Sequence, residues 1–239
     1  MEPVFSIARF VEKARVASGG PVAVEWLPNG RTSLVVRIVE RGTGDVHVVG
    51  PRRRAKFKHA TGVARAVVIQ FKPGWSRTLF GVPANQLTDQ LVTLEDLWAS
   101  AGRDVTAELL AAQSVPELLH SLSRAIAARA PSESTSARLA RRAARLFEAS
   151  ETRVETVADE LGVSTRHLRR AFLESIGIAP KEFARGVRLQ RAISESARSK
   201  DWGVIARDAG YYDQAHLIGD FRDLTGLTPS AFVARRVAP

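Results

Sequence analysis

A repeat in the C-terminal half of the sequence constrains the fold more than any other feature. GVSTRHLRRAFLESIGIAPKEF, residues 162–183, aligns with YYDQAHLIGDFRDLTGLTPSAF, residues 211–232, at a constant offset of 49 residues. One histidine, one leucine, one glycine, one proline and two phenylalanines coincide in the two copies. An internal repeat marks a supersecondary unit that is built more than once, so both copies are expected to fold alike.

The first copy predicts two helices joined by a short turn. VETVADE, residues 154–160, forms the first helix, and Gly162 suits a turn residue in the left-handed conformation. Ser164 is a good N-cap for the second helix, because its hydroxyl accepts a hydrogen bond from a free backbone N–H. The apolar side chains of the second helix share one face, which comprises Leu168, Phe172 and Ser175/Ile176.

The second copy follows the same scheme. Residues 202–208 form its first helix, Gly210 lies in the turn, and Asp213 is the N-cap. Its apolar stripe consists of Leu217, Phe221 and Leu224. The side chains predicted to fall outside that stripe are Gln214, His216 and Asp220.

Glycine and proline mark the boundary that follows each copy. Gly177 and Gly226 end the second helices, and Pro180 and Pro229 begin the next ones. Residues 180–197 then predict one helix roughly 27 Å long. Successive major-groove faces of DNA lie about 34 Å apart, so such a helix can hold two units on successive turns. A helix, a glycine-bearing turn and a polar-started second helix are the helix-turn-helix signature.

The net charge favours an anionic partner. The 239 residues carry a formal charge of +10 and the pI is about 10.9, which points to nucleic acid first and acidic lipid second. Residues 131–239 hold 18 Lys and Arg against 14 Asp and Glu, so they contribute +4 and the remainder +6. Much of the remainder lies in RRRAKFK, residues 52–58, which we interpret as a solvated loop.

Short strands dominate the first hundred residues. VAVEWL, SLVVRIVE, DVHVVG and ARAVVIQF, starting at residues 22, 33, 45 and 64, are rich in β-branched residues and separated by turn residues. This pattern predicts a small sandwich or barrel. From residue 94 onward apolar residues recur at helical spacing, and APSESTS, residues 130–136, is a candidate linker. We therefore expect one domain over residues 1–130 and an all-α domain over residues 131–239.

Several protein classes are disfavoured by what the sequence lacks. Without cysteine there is no disulfide, thiolate nucleophile or cysteine-ligated zinc, and His47 and His59 have no recognisable metal-ligand spacing. The sequence contains no G-x-S-x-G, phosphate loop or secretory leader, and no apolar run of about 18 residues. We expect a cytoplasmic protein that has no catalytic site, metal or cofactor and does not bind membranes.

The region from about Ser136 to Arg236 resembles the DNA-binding domain of AraC/XylS-family transcription regulators. The resemblance rests on VADELGVSTRHLRRAF, GIAPKEF, RLQRA, IARDAGYYDQAHLIGDF and GLTPSAF. The front part is similar to the sensor-side domain of one branch of that family, through LPNGRTSLVVRI and FKPGWSRTLFGVPANQLTDQLVTLEDLW. Such front domains are taken to be cupin-like barrels that bind effectors or dimerise.

The resemblance implies an α+β multidomain fold. Its N-terminal part is a cupin-like β-barrel with a helical extension, and its C-terminal part is all-α, with two helix-turn-helix motifs joined by a linker helix. The implied partner is double-stranded promoter or operator DNA. RNA polymerase, a small-molecule effector and a second copy in a homodimer are further implied partners.

The predicted DNA contacts lie at the starts of the two second helices. Arginine binds guanine or phosphate, serine and threonine contact base or backbone, and glutamine contacts adenine. The alternative for the arginines is that they are surface charges alone, and for the histidines that they pack beside leucine. The alternative for Asp213 is that it serves only as an N-cap. The predicted residues are Ser164, Thr165, Arg166, His167, Arg169 and Arg170 in the first copy, and Tyr212, Asp213, Gln214 and His216 in the second.

The second copy departs from its family, whose second recognition helix usually carries a basic residue near Gly219 or Asp220. An outward Asp220 is expected to repel phosphate. Anchoring of the DNA backbone then falls to the first copy, to helix N-termini, and to Arg185, Arg188 and Arg191.

The front domain offers candidate pocket residues, although core or surface placement is the alternative for each. They are Trp26, Arg37, His47, Phe71 and Trp75, with His59 beside them. Two other functions compete with a sequence-specific regulator. One is a non-specific architectural DNA-binding protein, and the other is a small-molecule enzyme with an appended helical domain.

Overall fold

The computed structural model describes residues 6–18, 22–39, 43–129 and 133–237. Its strands are β1 Val11–Ser18, β2 Val22–Trp26, β3 Ser33–Val39, β4 Gly44–Val49, β5 Lys56–Ala60, β6 Val63–Phe71 and β7 Leu91–Thr93. They form a five-stranded sheet in the order β1-β6-β3-β4-β7 and a two-stranded sheet of β2 and β5. Every pairing is antiparallel.

Alternation of side chains gives the five-stranded sheet one buried face. Leu34 pairs with Val48 and Val36 with Val46, and all four are at most 2% exposed. Helices complete this core, with side chains such as those of Leu94, Leu109 and Leu118. The helices are α1 Ser76–Phe80, α2 Ala84–Leu87, α3 Leu94–Trp98, α4 Ser100–Ala111 and α5 Val115–Ala127. The strand-rich front part with a helical extension is therefore confirmed.

The interpretation of residues 52–58 as a solvated loop is wrong. Residues from Lys56 onward form β5, which pairs with β2. The Arg52 side chain is buried, and its guanidinium donates to the carbonyl oxygens of Asp89 at 2.7 Å and Gln90 at 3.3 Å. Burial lowers the pKa of Arg52. The prediction was wrong because it took the basic residues as the sign of a loop. In β5, lysine alternates with apolar residues, and the strand has only one neighbouring strand.

Seven helices form the C-terminal half, and the helices predicted for the repeat are confirmed. They are α6 Thr135–Ala149, α7 Val154–Glu160, α8 Thr165–Ile176, α9 Pro180–Glu195, α10 Trp202–Ala209, α11 Gln214–Thr225 and α12 Pro229–Val237. Residues 130–132 of the predicted linker lie outside the described residues, and Ser134 already caps α6. The division near residue 130 stays a prediction; residues 6–129 are called the front domain below, and residues 133–237 the helical domain.

The helical domain contains two cores that share the linker helix α9. The first core packs Phe147, Phe172 and Phe183 against one another, with ring centroids 5.6–6.4 Å apart. The second core includes Phe221 and Phe232, whose centroids are 5.5 Å apart. Phe183 near the start of α9 belongs to the first core and Leu189 further along belongs to the second. One rigid helix therefore fixes the spacing of the two helix-turn-helix units.

The front domain packs against the end of α8 in the first unit. The buried Thr88 hydroxyl donates to the Gly177 carbonyl at 2.7 Å, and Arg77 pairs with Glu174 at 2.8 Å. Gly30 approaches so closely that a Cβ there would lie 2.6 Å from a ring carbon of Phe183. These contacts join the front domain directly to the first core.

The front domain also packs against the second unit. The Ala55 N–H donates to the Leu224 carbonyl at 2.7 Å, and Arg54 pairs with Asp223 at 2.9 Å. Phe57 of β5 meets Phe232 edge-on, with centroids 6.1 Å apart. The segment misjudged as a solvated loop therefore supplies the contacts to the second helix-turn-helix unit.

The repeat offers a matched test of this docking in Gly177 and Gly226. Both residues end a recognition helix with positive φ, 86° and 75°. A Cβ at Gly177 would lie 2.5 Å from Thr88 Oγ1, whereas a Cβ at Gly226 meets nothing within 4 Å. We expect Gly226→Ala to lower the free energy of unfolding by about 1 kcal/mol through backbone strain. Gly177→Ala should cost roughly 1–2 kcal/mol more through overpacking, measured by chemical denaturation. Equal losses would contradict the docking contact.

Candidate nucleic-acid interface

The first candidate surface is the N-terminal half of α8. Ser164 caps this helix, because its hydroxyl accepts a hydrogen bond from the His167 N–H at 3.2 Å. Leu168 and Phe172 are fully buried in the first core, which turns the opposite side of the helix outward. All six predicted contact residues of this copy are exposed: Ser164, Thr165, Arg166, His167, Arg169 and Arg170. Hydroxyl, imidazole and guanidinium groups thus share one surface.

The second candidate surface is the start of α11. Asp213 caps the helix by accepting a hydrogen bond from the His216 N–H at 2.7 Å, so one of its oxygens is already engaged. Tyr212 is 92% exposed, and Gln214 and His216 are also exposed. The His216 ring meets the buried Tyr211 ring edge-on at 5.2 Å, which limits its motion. The predicted outward set of this copy is therefore on the surface.

The front domain contacts both recognition helices, α8 and α11, at their C-terminal ends. The C-terminal end of α8 is held by Thr88 and Arg77, and the C-terminal end of α11 by Arg54 and Ala55. Each helix has 12 residues and is about 18 Å long, so its N-terminal end lies well clear of those contacts. The residues at these N-terminal ends are exposed, from Ser164 to His167 on α8 and from Tyr212 to His216 on α11.

The expectation that Asp220 faces outward is wrong. Its side chain is 9% exposed and lies against the linker helix. Arg185 donates to Asp220 Oδ1 from Nε at 3.1 Å and from Nη2 at 2.8 Å, and Arg188 Nη2 lies 3.6 Å from Asp220 Oδ2. A carboxylate enclosed by two guanidinium groups does not repel phosphate at the surface. The helical wheel misplaced it because the neighbouring α9 is not part of the local pattern.

The same contacts redefine the linker-helix arginines. Arg185 also donates to Asp223 Oδ2 at 2.6 Å, so its guanidinium braces α9 against α11. Arg191 donates to the carbonyl oxygens of Phe147 at 3.3 Å and Glu148 at 2.9 Å. Sequence reasoning missed this brace because Arg185 and Asp220 are 35 residues apart and form no local motif. The Arg185 guanidinium is therefore committed within the protein.

Burial and charge set the pKa values around this brace. Burial raises the pKa of the Tyr211 phenol, and the Asp220 carboxylate adds to that shift. The hydrogen bond from Arg185 lowers the pKa of Asp223. Burial acts to lower the pKa of Arg185, but its hydrogen bonds to Asp220 and Asp223 outweigh burial and raise it. Tyr211 is neutral at pH 7, while Arg185 and Asp223 are charged.

Two of the predicted pocket residues lie on the solvent side of the five-stranded sheet. Arg37 on β3 pairs with Asp45 on β4, and His47 Nδ1 lies 3.1 Å from Asp45 Oδ1. All three side chains are partly exposed and lie on the face opposite Val36 and Val46. They form a small surface cluster across adjacent strands.

The other three predicted pocket residues lie elsewhere. Phe71 is buried in the front core, Trp75 packs beneath the Arg141 guanidinium at 3.6 Å, and Trp26 is half-buried on the two-stranded sheet. The His59 side chain lies outside the described residues. The structure thus does not bring the five together. In the part of the chain it describes, no three His, Asp or Glu side chains form a metal site, and no helix is long and apolar enough to span a bilayer.

Two domain families match the sequence in separate stretches. Residues 157–235 match a family described as a helix-turn-helix domain. Residues 2–93 match a family described as a domain of unknown function. The first stretch contains α8, the linker helix and α11, so it covers both recognition helices.

Known proteins resemble the chain in sequence over part of its length and in fold over most of it. HTH-type transcriptional regulator RipA from Corynebacterium glutamicum is 35% identical over 89 residues, which is 37% of this chain and 27% of RipA. The match therefore spans about a quarter of RipA's length. The crystal structure of ToxT from Vibrio cholerae O395 covers 95% of this chain and 97% of ToxT at 14% identity, with a TM-score of 0.50. This likeness shows a common two-part fold.

A further solved structure covers a smaller share of the chain. It is a transcriptional regulator from Chromobacterium violaceum, described as an AraC-type DNA-binding domain-containing protein. It is 28% identical and covers 44% of this chain and 96% of that chain, with a TM-score of 0.40.

Proposed function

The chain belongs, through its C-terminal helix-turn-helix domain, to the AraC family, and from this premise we propose that it is a sequence-specific DNA-binding transcription regulator. Its two recognition helices enter successive major grooves on one face of the duplex. The observation that supports this proposal is that α8 and α11 both begin with exposed polar side chains, while the linker helix packs in the cores of both units.

The linker helix sets the distance between the two contacts. Its 16 residues span about 24 Å, and the recognition helices flank it on either side. In this proposal their N-terminal ends contact half-sites one helical turn apart, about 34 Å along the DNA. Arg166, Arg169 and Arg170 supply guanine and phosphate contacts in one half-site, and Gln214 supplies adenine contacts in the other.

The remaining predicted contacts have supporting roles. Ser164 and Asp213 hold the helix ends by capping, and their free lone pairs face the groove. Thr165, His167, Tyr212 and His216 complete the two exposed surfaces. Tyr212 carries an almost fully exposed aromatic ring, suited to apolar contact with a thymine methyl group.

The front domain regulates DNA binding in this proposal. It contacts the ends of both recognition helices, so a change in its packing reaches both DNA contacts. A small-molecule effector, a second copy of the chain and RNA polymerase are its proposed partners, and the cytoplasm its proposed location. No catalytic role is assigned to the chain.

Selection of bound sequences from random DNA tests the proposed function. We expect the full chain to select a bipartite site whose two halves are centred about 10 base pairs apart. Equal affinity for selected and random DNA would instead identify a non-specific architectural protein. A catalytic turnover of a small molecule by the front domain would support the enzyme alternative.

Single substitutions should change one half of the selected site each. We expect Arg169→Ala to relax base preference in one half and Gln214→Ala in the other, each costing about 1–3 kcal/mol of discrimination. The measurement is a repeated selection with each variant, and Lys13→Ala on β1 serves as the control. If Arg169→Ala weakens binding to all sequences equally, Arg169 contacts only phosphate.

A further inference from the structure

A cavity beside the linker helix has no role in the contacts described so far. It has a volume of about 410 Å³ and lies between the α6–α7 connection and one face of the linker helix. Its wall is partly apolar, and its charged lining comprises Glu151, Arg153, Glu155, Lys181, Arg188 and Arg191. The inference drawn from it rests on the proposed function.

The cavity opens on the side opposite the front domain. On the linker helix, Glu182 lies 3.6 Å from Arg53 of the front domain, and Gly186 approaches the Pro28 carbonyl. Lys181 and Arg188 line the cavity from the other side of the same helix, because 100° per residue places them away from Gly186.

The cavity also lies at the seam of the two units. Glu151 of the α6–α7 connection reaches the turn of the second unit, where its carboxylate occupies the space that a Cβ of Gly210 would need. The first unit contributes the wall next to Phe147, and the linker helix contributes the other wall. The cavity therefore lies next to both helix-turn-helix units.

The charges around the cavity are not balanced within the protein. Glu151 lies 3.7 Å from Arg191, which is also held by two carbonyl oxygens. Arg153 and Lys181 are exposed, and neither side chain has a hydrogen-bond or ion-pair partner among the described residues. The guanidinium of Arg188 is held near Asp220. Within the part of the chain that the structure describes, Arg153 and Lys181 are therefore two cations without a partner at the cavity, which the Glu155 carboxylate also lines.

We propose that this cavity binds phosphodiester groups of the DNA backbone between the two major-groove contacts. Phosphate oxygens accept charge-assisted hydrogen bonds from guanidinium and ammonium groups, and such contacts fix the register of a protein on the duplex. Arg153 and Lys181 supply both the charge and the hydrogen-bond donors. The site positions the two recognition helices together and carries no base preference of its own.

The salt dependence of binding tests this site. Each phosphate contact contributes about 0.9 to the slope of log K against log salt concentration. We expect the double variant Arg153→Ala/Lys181→Ala to reduce that slope by roughly 1.8. Its affinity for selected and for random DNA should fall alike, by roughly tenfold per contact at 0.1 M salt. The control variant Lys13→Ala/Arg15→Ala removes the same charge from exposed positions of β1 and should leave the slope unchanged.

Neutral phosphate analogues locate the contact. A series of selected sites each carries one uncharged methylphosphonate in place of a phosphodiester. Where that linkage lies midway between the half-sites, the affinity of the unaltered protein should fall several-fold. Neutralising the same linkages should have no effect on the affinity of the double variant, because the side chains that contact them are gone.

An unchanged salt slope, or equal sensitivity of both proteins, would overturn the cavity assignment while leaving sequence-specific binding intact. Failure of the unaltered protein to prefer selected DNA would instead overturn the proposed function. Inorganic phosphate that displaces DNA at millimolar concentration would make the cavity a small-anion site and overturn the backbone assignment.

Discussion

Replacing Asp220 by alanine is expected to lower the free energy of unfolding by about 3 kcal/mol, because it leaves two guanidinium groups without their shared carboxylate. Removing one partner of a buried ion pair typically costs 3–5 kcal/mol, and the lower end applies because Arg185 and Arg188 are each about a quarter exposed. Chemical denaturation of the full chain measures the loss. The brace joins α9 to α11, so the second half-site should also lose base preference.

Asp208→Ala is the matched control for this prediction. Asp208 is half exposed and its contact to Arg207 is 3.7 Å long, so its loss should change the free energy of unfolding by less than about 0.5 kcal/mol. Asp220→Asn keeps the shape of the side chain and removes its charge. Its loss of unfolding free energy should lie between those of Asp220→Ala and Asp208→Ala. If Asp220→Ala matches Asp208→Ala, then Asp220 does not hold the second recognition helix.

The double substitution Arg166→Ala/Arg170→Ala should have the largest effect on DNA binding. These residues are four apart on α8, so they lie along one line on its exposed side, opposite Leu168 and Phe172. Each arginine that binds guanine contributes about 1–3 kcal/mol of discrimination. We expect selected DNA to bind the double variant roughly 100-fold more weakly, measured by titration at fixed salt.

The loss for random DNA distinguishes base contact from charge. Random DNA should lose far less affinity than selected DNA, because only phosphate contacts persist there. Lys13→Ala/Arg15→Ala again removes two exposed cations and should leave both affinities unchanged. The unfolding free energy of the Arg166/Arg170 variant should also stay unchanged, since neither side chain packs in the core. Equal losses on both DNAs would place these arginines on the backbone alone.

Local chemistry was sufficient to predict the helix-turn-helix units from the sequence. Ser164 and Asp213 cap the recognition helices, and Gly177 and Gly226 end them with positive φ, as their side-chain properties require. The apolar stripes of Leu168 and Leu217 are fully buried. These features depend on neighbours within one or two helical turns, which the sequence displays directly.

Strand prediction succeeded where side chains alternate and failed where charge obscured the alternation. β3, β4 and β6 bury β-branched residues on one face and were predicted. β1 and β5 are rich in lysine and arginine because each pairs with only one neighbour, and both were missed. β1 is the edge of the five-stranded sheet and is exposed along most of its length, so its sequence carries no core pattern.

The sequence by itself determined the repeat, the caps, the buried stripes and, apart from Asp220, the outward residues of both recognition helices. Tertiary structure decided what lies between distant segments: Asp220 enclosed by Arg185 and Arg188, residues 54–57 seated on the second unit, and a cavity between Arg153 and Lys181. The physical reason is the separation along the sequence of the residues that determine each feature. Helix caps and periodic burial follow from a few consecutive residues, whereas an ion pair, a domain contact or a cavity depends on where the backbone brings residues that are far apart in the chain.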